Sequence, residues 1–96
     1  MDYRVLLVED DREMNQGICY VLEEEGYKVL AAHSVAEGKT AYEQSGADLV
    51  LLDVNLPDGE GYELCRWIRE RARTPVLFLT ARDLEEDALR GYELGA

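Results

Sequence analysis

Short apolar runs, each stopped by a polar residue, alternate along this chain with stretches in which apolar residues recur at helical spacing. Val5-Leu6-Leu7-Val8 stops at Glu9-Asp10-Asp11, Leu49-Val50-Leu51-Leu52 at Asp53, and Val76-Leu77-Phe78-Leu79 at Thr80. Unbroken aliphatic runs of this length, the Asp53 run bounded by Gly46 before and by Pro57 and Gly59 after, predict strands buried on both faces, the habit of parallel sheets. Lys28-Val29-Leu30-Ala31-Ala32 is a weaker run with smaller side chains, which places it at the sheet edge. Between the runs the period changes. Met14, Ile18, Val21 and Leu22 fall at i, i+4, i+7 and i+8, one face of a helix running from Arg12 to near Gly26. Ser34-Val35-Ala36-Glu37 is a capping box, predicting a largely solvated helix from Val35 to about Gln44. A third helix, Gly61 to Arg71, turns Leu64, Cys65 and Ile68 to the sheet and Arg66, Arg69, Glu70 and Arg71 to water. Asp83-Leu84-Glu85-Glu86 offers a further cap, and Leu84, Ala88 and Tyr92 give a last helix its apolar stripe.

Strand and helix alternate with short connections, which implies right-handed crossovers and a parallel sheet covered on both faces. The units are too few for a barrel, so the predicted architecture is an open α/β sheet. With the second strand at the edge, the order is 2-1-3-4. The first and third strands then lie side by side, about 4.8 Å apart. Glu9, Asp10 and Asp53 gather at the carboxyl edge, where open α/β sheets bind ligands, with Thr80 on the next strand over.

Length and composition narrow this picture. A chain of 96 residues, 47% hydrophobic and 32% charged, is one domain or part of one and has no disordered character. Its formal net charge of -11 argues against nucleic-acid binding by this segment and fits a solvated surface, a divalent cation site or a basic partner. No apolar stretch reaches membrane-spanning length, and Met1-Asp2-Tyr3-Arg4 leads directly into a strand, so a cytoplasmic protein is expected. Cys19 and Cys65 lie singly within helical patterns and read as reduced thiols. His33 reads as a surface residue; helical spacing leaves Tyr62 and Trp67 as either core or partner surface.

Three carboxylates at one sheet edge repel one another unless compensated, and a hard divalent cation compensates them. Mg²⁺ is the natural choice, because it takes one or two carboxylates, keeps several waters and bridges to phosphoryl oxygens. Asp11 reads instead as the cap of the following helix. A carboxylate beside such a cation can attack a phosphoryl group, and Asp53 is the best placed; in isolation it could equally be a turn residue. Thr80, followed by small Ala81, could donate its hydroxyl to a phosphoryl oxygen.

Val5-Leu6-Leu7-Val8-Glu9-Asp10-Asp11, Leu51-Leu52-Asp53-Val54-Asn55-Leu56-Pro57-Asp58-Gly59-Glu60-Gly61 and Pro75-Val76-Leu77-Phe78-Leu79-Thr80-Ala81, in that order, closely resemble the receiver domains of bacterial two-component response regulators. The resemblance spans nearly the whole chain and is strongest to receivers attached to winged-helix transcription factors. It implies a flavodoxin-like, three-layer fold and a phosphoacceptor signalling domain rather than an enzyme, with Asp53 accepting a phosphoryl group from a sensor histidine kinase. It further implies Mg²⁺ held by Glu9, Asp10, Asp53 and the main-chain carbonyl of Asn55. Thr80 matches the family's switch hydroxyl, Ala81 leaves room for the phosphoryl group, and Asn55 and Arg82 match positions that tune acyl phosphate lifetime. Measured against that pattern, residues 1–96 read as a receiver truncated before its fifth strand and helix, which places self-association among the expectations. Two other readings compete, a phosphatase that also uses a strand-end Asp and Mg²⁺ and a cofactor binder that shares the fold. A haloacid dehalogenase-like phosphatase would carry an Asp where Asn55 stands, and in a flavodoxin-like cofactor binder Glu9-Asp10-Asp11 would repel the phosphate. A non-signalling, self-associating receiver fragment is the third alternative.

Overall fold

The computed structural model describes residues 3–79. In chain order these form β1 (Arg4–Val8), α1 (Arg12–Glu24), β2 (Lys28–Ala32), α2 (Val35–Ser45), β3 (Leu49–Asp53), β4 (Asn55–Leu56), β5 (Gly59–Glu60), α3 (Gly61–Arg69) and β6 (Val76–Leu79). Four strands build a parallel sheet in the order β2-β1-β3-β6. The expected order 2-1-3-4 holds, β6 being the fourth strand of the sheet, with β2 at an edge. Where Pro57 and Gly59 predict only a turn, β4 and β5 pair as a minute antiparallel hairpin. The last predicted helix, with Leu84, Ala88 and Tyr92, lies outside the described residues, as do Thr80, Ala81 and Arg82.

The core lies on one face of the sheet. Leu6 and Val8 of β1, Val50 and Leu52 of β3 and Val76 of β6 pack against Val35 of α2 and Leu64, Cys65 and Ile68 of α3. A Cβ at Gly38 would stand 2.7 Å from Leu64 Cδ2 and 3.2 Å from a Val8 methyl, so the missing side chain is what lets α2 lie this close to β1 and α3. On the opposite face α1 covers β1 and β2. β1 is therefore buried on both sides, Val5 to Val8 being no more than 1% exposed. β3, one strand further from α1, is not. Val50 and Leu52 are buried while Leu49 and Leu51 are half-exposed, and Leu77 of β6 is 39% exposed.

Three predicted details change and one open question is settled. Val21 is 60% exposed rather than inward-facing, because the inward stripe of α1 is centred on Asn15, Ile18, Cys19 and Leu22, and Val21 stands about 100° from Leu22. Ser34 does cap α2, its Oγ accepting from the Glu37 N–H at 3.1 Å. Glu37, however, reaches past the cap to the His33 N–H (2.9 Å), so the box is not closed on Ser34. Arg69 is half-buried rather than facing water, and its Nη1 donates to the Ala72 carbonyl at 3.3 Å. The two open aromatics separate: Tyr62 is buried against Phe78 (ring centroids 4.9 Å apart), whereas Trp67 is half-exposed beneath the Arg71 guanidinium, 3.9 Å from its ring centroid. Neither cysteine forms a disulfide; Cys65 is buried and Cys19 half-buried.

Candidate functional site

Parallel pairing of β1 with β3 sets Val8 opposite Leu52, so the residues that follow, Glu9-Asp10 and Asp53, leave the sheet side by side. One carboxylate oxygen from each of Glu9, Asp10 and Asp53 lies within 4.8 Å of the others. Glu9 is 3% exposed, Asp53 is half-buried and Asp10 faces solvent. The sequence thus places all three correctly, and Asp11 takes the role expected of it: its Oδ1 accepts the Met14 N–H at 3.1 Å and caps α1.

The cluster is electrostatically tense. Burial pushes the Glu9 carboxyl from its ordinary value of 4.5 up to about 7, with the Asp53 and Asp10 charges adding to the rise. The Asp11 N–H, donating to Glu9 Oε2 at 2.9 Å, opposes the shift and fixes the side chain's direction. The Asp53 carboxyl is also raised, first by burial and then by Asp10, while the main-chain N–H groups of Val54 and Asn55 and a hydrogen bond from Glu9 pull it down. Burial therefore favours a proton on Glu9, and the backbone amides favour charge on Asp53. Three hard oxygen donors with surplus negative charge suit a hard divalent cation such as Mg²⁺.

The loop after Asp53 is fastened at two points. Gly61 N–H donates to the Val54 carbonyl at 2.7 Å, and a Cβ at Gly61 would collide with the Asp53 carbonyl oxygen, so only glycine lets α3 begin here. Asp58 reaches across to α2, its two carboxylate oxygens accepting the N–H groups of Val35 (2.8 Å) and Ala36 (3.0 Å). Those bonds hold its carboxyl below the usual range. Asn55 sits on β4 opposite Glu60 with its side chain exposed.

Two residues that the sequence reading passed over shape this region, Asp58 and Asn15. Asn15 is 2% exposed and donates from Nδ2 to the carbonyls of Glu9 (3.0 Å) and Ala32 (3.1 Å). One available signal was an amide standing on the inward stripe of an amphipathic helix, one turn after the acidic cluster.

Comparison with known proteins decides the family. Residues 5–96 match the family model described as the response regulator receiver domain. The chain belongs to the response regulator receiver domains. Among its relatives, this receiver is 39% identical over 92 residues to the sensory transduction protein RegX3 of Mycolicibacterium smegmatis and 42% identical over 93 residues to the transcriptional regulatory protein CpxR of Klebsiella pneumoniae. Those matches cover 96% and 97% of the receiver, which itself spans 40% of the length of each relative. Among solved structures, the non-phosphorylated HemR receiver domain of Leptospira biflexa is 41% identical with a TM-score of 0.87, the match covering 98% of this chain and 77% of that one. A response regulator of Chloroflexus aurantiacus gives a TM-score of 0.91 at 31% identity, with 100% and 81% covered. The receiver thus has the flavodoxin-like fold that its motifs imply and belongs to a signalling family of two-component systems. Among the described residues, no helix is long and apolar enough to cross a membrane.

Proposed function

We propose that this receiver accepts a phosphoryl group on Asp53 from a sensor histidine kinase, in a reaction that requires Mg²⁺. The convergence of Glu9, Asp10 and Asp53 oxygens within 4.8 Å at the carboxyl edge of the sheet carries the reading. Glu9, Asp10 and Asp53, with the Asn55 main-chain carbonyl, would hold the cation. When bound, Mg²⁺ neutralises negative charge on the carboxylates and the phosphoryl oxygens. The Asp53 carboxylate supplies the nucleophile: its oxygen forms a bond to phosphorus as the bond to the donor's imidazole nitrogen breaks, and the freed imidazole takes a proton from solvent. The amides of Val54 and Asn55 favour the charged form of Asp53 against the burial that raises its pKa. Thr80 would donate its hydroxyl to the bound phosphoryl group, Ala81 would leave room for it, and Asn55 and Arg82 would set its lifetime, which extends the family pattern to Thr80, Ala81 and Arg82 outside the described residues.

Incubation with a small phosphodonor and Mg²⁺, read by intact mass, should add one phosphate to the wild type and none to Asp53→Asn. Unchanged labelling of Asp53→Asn refutes the assignment. RegX3 and CpxR are named as a sensory transduction and a transcriptional regulatory protein, so control of a transcription-regulating effector is the proposed output, this acidic domain signalling to it rather than touching nucleic acid itself. We also propose that the domain associates with itself through the α1 side of the sheet, where, among the described residues, Val21 and Leu77 are exposed.

A further inference from the structure

We propose that Asn15 is a positioning residue for the acidic site, a buried amide that fixes the peptide plane between Glu9 and Asp10; the inference rests on the cation reading above. The Glu9 carbonyl belongs to the peptide that joins Glu9 to Asp10. Its orientation therefore governs where both carboxylates can point. Asn15 Nδ2 donates to that carbonyl at 3.0 Å and to the Ala32 carbonyl at 3.1 Å. The Ala32 carbonyl also accepts the Glu9 N–H at 3.0 Å. Glu9 is thus gripped at its N–H by the end of β2 and at its carbonyl by α1, and the three groups close a small hydrogen-bonded ring.

Chemistry fixes which end of the amide faces the ring. Both neighbours are carbonyl oxygens, which only accept, so the NH₂ group must face them and Oδ1 must point the other way. Oδ1 there accepts from Cys19 Sγ at 3.4 Å. The Asn15 N–H bonds to the Asp11 carbonyl at 2.8 Å, and Asp11 in turn donates its own N–H to Glu9 Oε2. The first turn of α1 is therefore stitched to the backbone and to one carboxylate of the site. Asn15 touches no proposed cation ligand oxygen; it acts through the main chain.

Groups that orient ligands from behind typically change metal affinity by about 10–100-fold when removed. Mn²⁺ alone is the probe, titrated against wild type, Asn15→Leu and the milder Asn15→Ser, with thermal unfolding of each recorded without metal. Ile68→Val, a core change on the opposite face of the sheet, is the control for lost stability. The expected result is that both Asn15 variants bind Mn²⁺ at least roughly tenfold more weakly in their folded state, while Ile68→Val melts lower and binds like wild type. Asn15→Ser carries the test alone should the leucine variant not fold. Wild-type Mn²⁺ affinity in the folded Asn15 variants overturns the proposal whatever their melting temperatures. A wild-type protein that binds no Mn²⁺ overturns the cation reading itself, and this inference with it.

Discussion

Glu9 is the residue at which the demands of folding and of chemistry conflict. It lies at the mouth of the core, 3% exposed, beside two other carboxylates, and its carboxyl is raised to about 7. A folded pKa above the unfolded one means that the native state binds the proton more tightly. In metal-free buffer the contribution of Glu9 to stability is accordingly complete below about pH 4.5 and is lost as the pH rises to about 7. At about 1.4 kcal/mol per unit, the ceiling is on the order of 3 kcal/mol. Urea unfolding in chelator across this window should show wild-type stability falling with pH and Glu9→Gln, locked in the neutral form, falling less. An equal slope in the two proteins would remove Glu9 as the cause. With saturating Mg²⁺ the fall should shrink, because the cation stabilises the charged form that burial disfavours.

The elements meet the site through their ends. Asp58, in the loop after Asp53, ties that loop to α2 by accepting the two leading N–H groups of a helix more than twenty residues earlier. Ser34 alone satisfies only the Glu37 N–H. Asp58→Ala should therefore cost roughly 1 kcal/mol, the usual value of a lost helix cap, read as a lower urea midpoint at neutral pH. The difference from wild type should vanish as acid titrates Asp58 through its depressed pKa. A deficit that persists at low pH would point to some other role. The elements themselves were legible because their information is local: four aliphatic runs, helical periods, Ser34 as a cap and the Asp53 stop can each be read within a few residues. Asp58 and Asn15 were hidden because their partners are distant in sequence, and a polar side chain announces its type but not its acceptor. The β4-β5 hairpin, two residues per strand, is too short to carry a period. Val21 was misplaced because apolar spacing gives a stripe, whereas the width of that stripe depends on what packs above it.

Among the described residues, the two faces of the sheet are covered unequally. One face of the sheet carries α2, α3 and the aliphatic core; on the other, α1 shields β1 and β2, while Leu51 is half-exposed and Leu77 and Val21 are exposed. Apolar surface of this kind favours association, and a net charge of -11 opposes it through repulsion between copies. Light scattering should find a mass that climbs with concentration, more steeply as salt screens the repulsion, and Leu77→Lys should suppress the climb. A constant monomer mass throughout would defeat this expectation.

Gly61 and Gly17 show how unevenly such a structure constrains its own drift. Gly17 stands on α1 with nothing within 4 Å of where a side chain would begin, whereas at Gly61 any side chain must displace the end of the strand on which Asp53 stands. The same letter, read twice in the sequence, is free to change in one place and closed in the other. In a lineage of such proteins the first position would record ancestry, and the second would record the reaction.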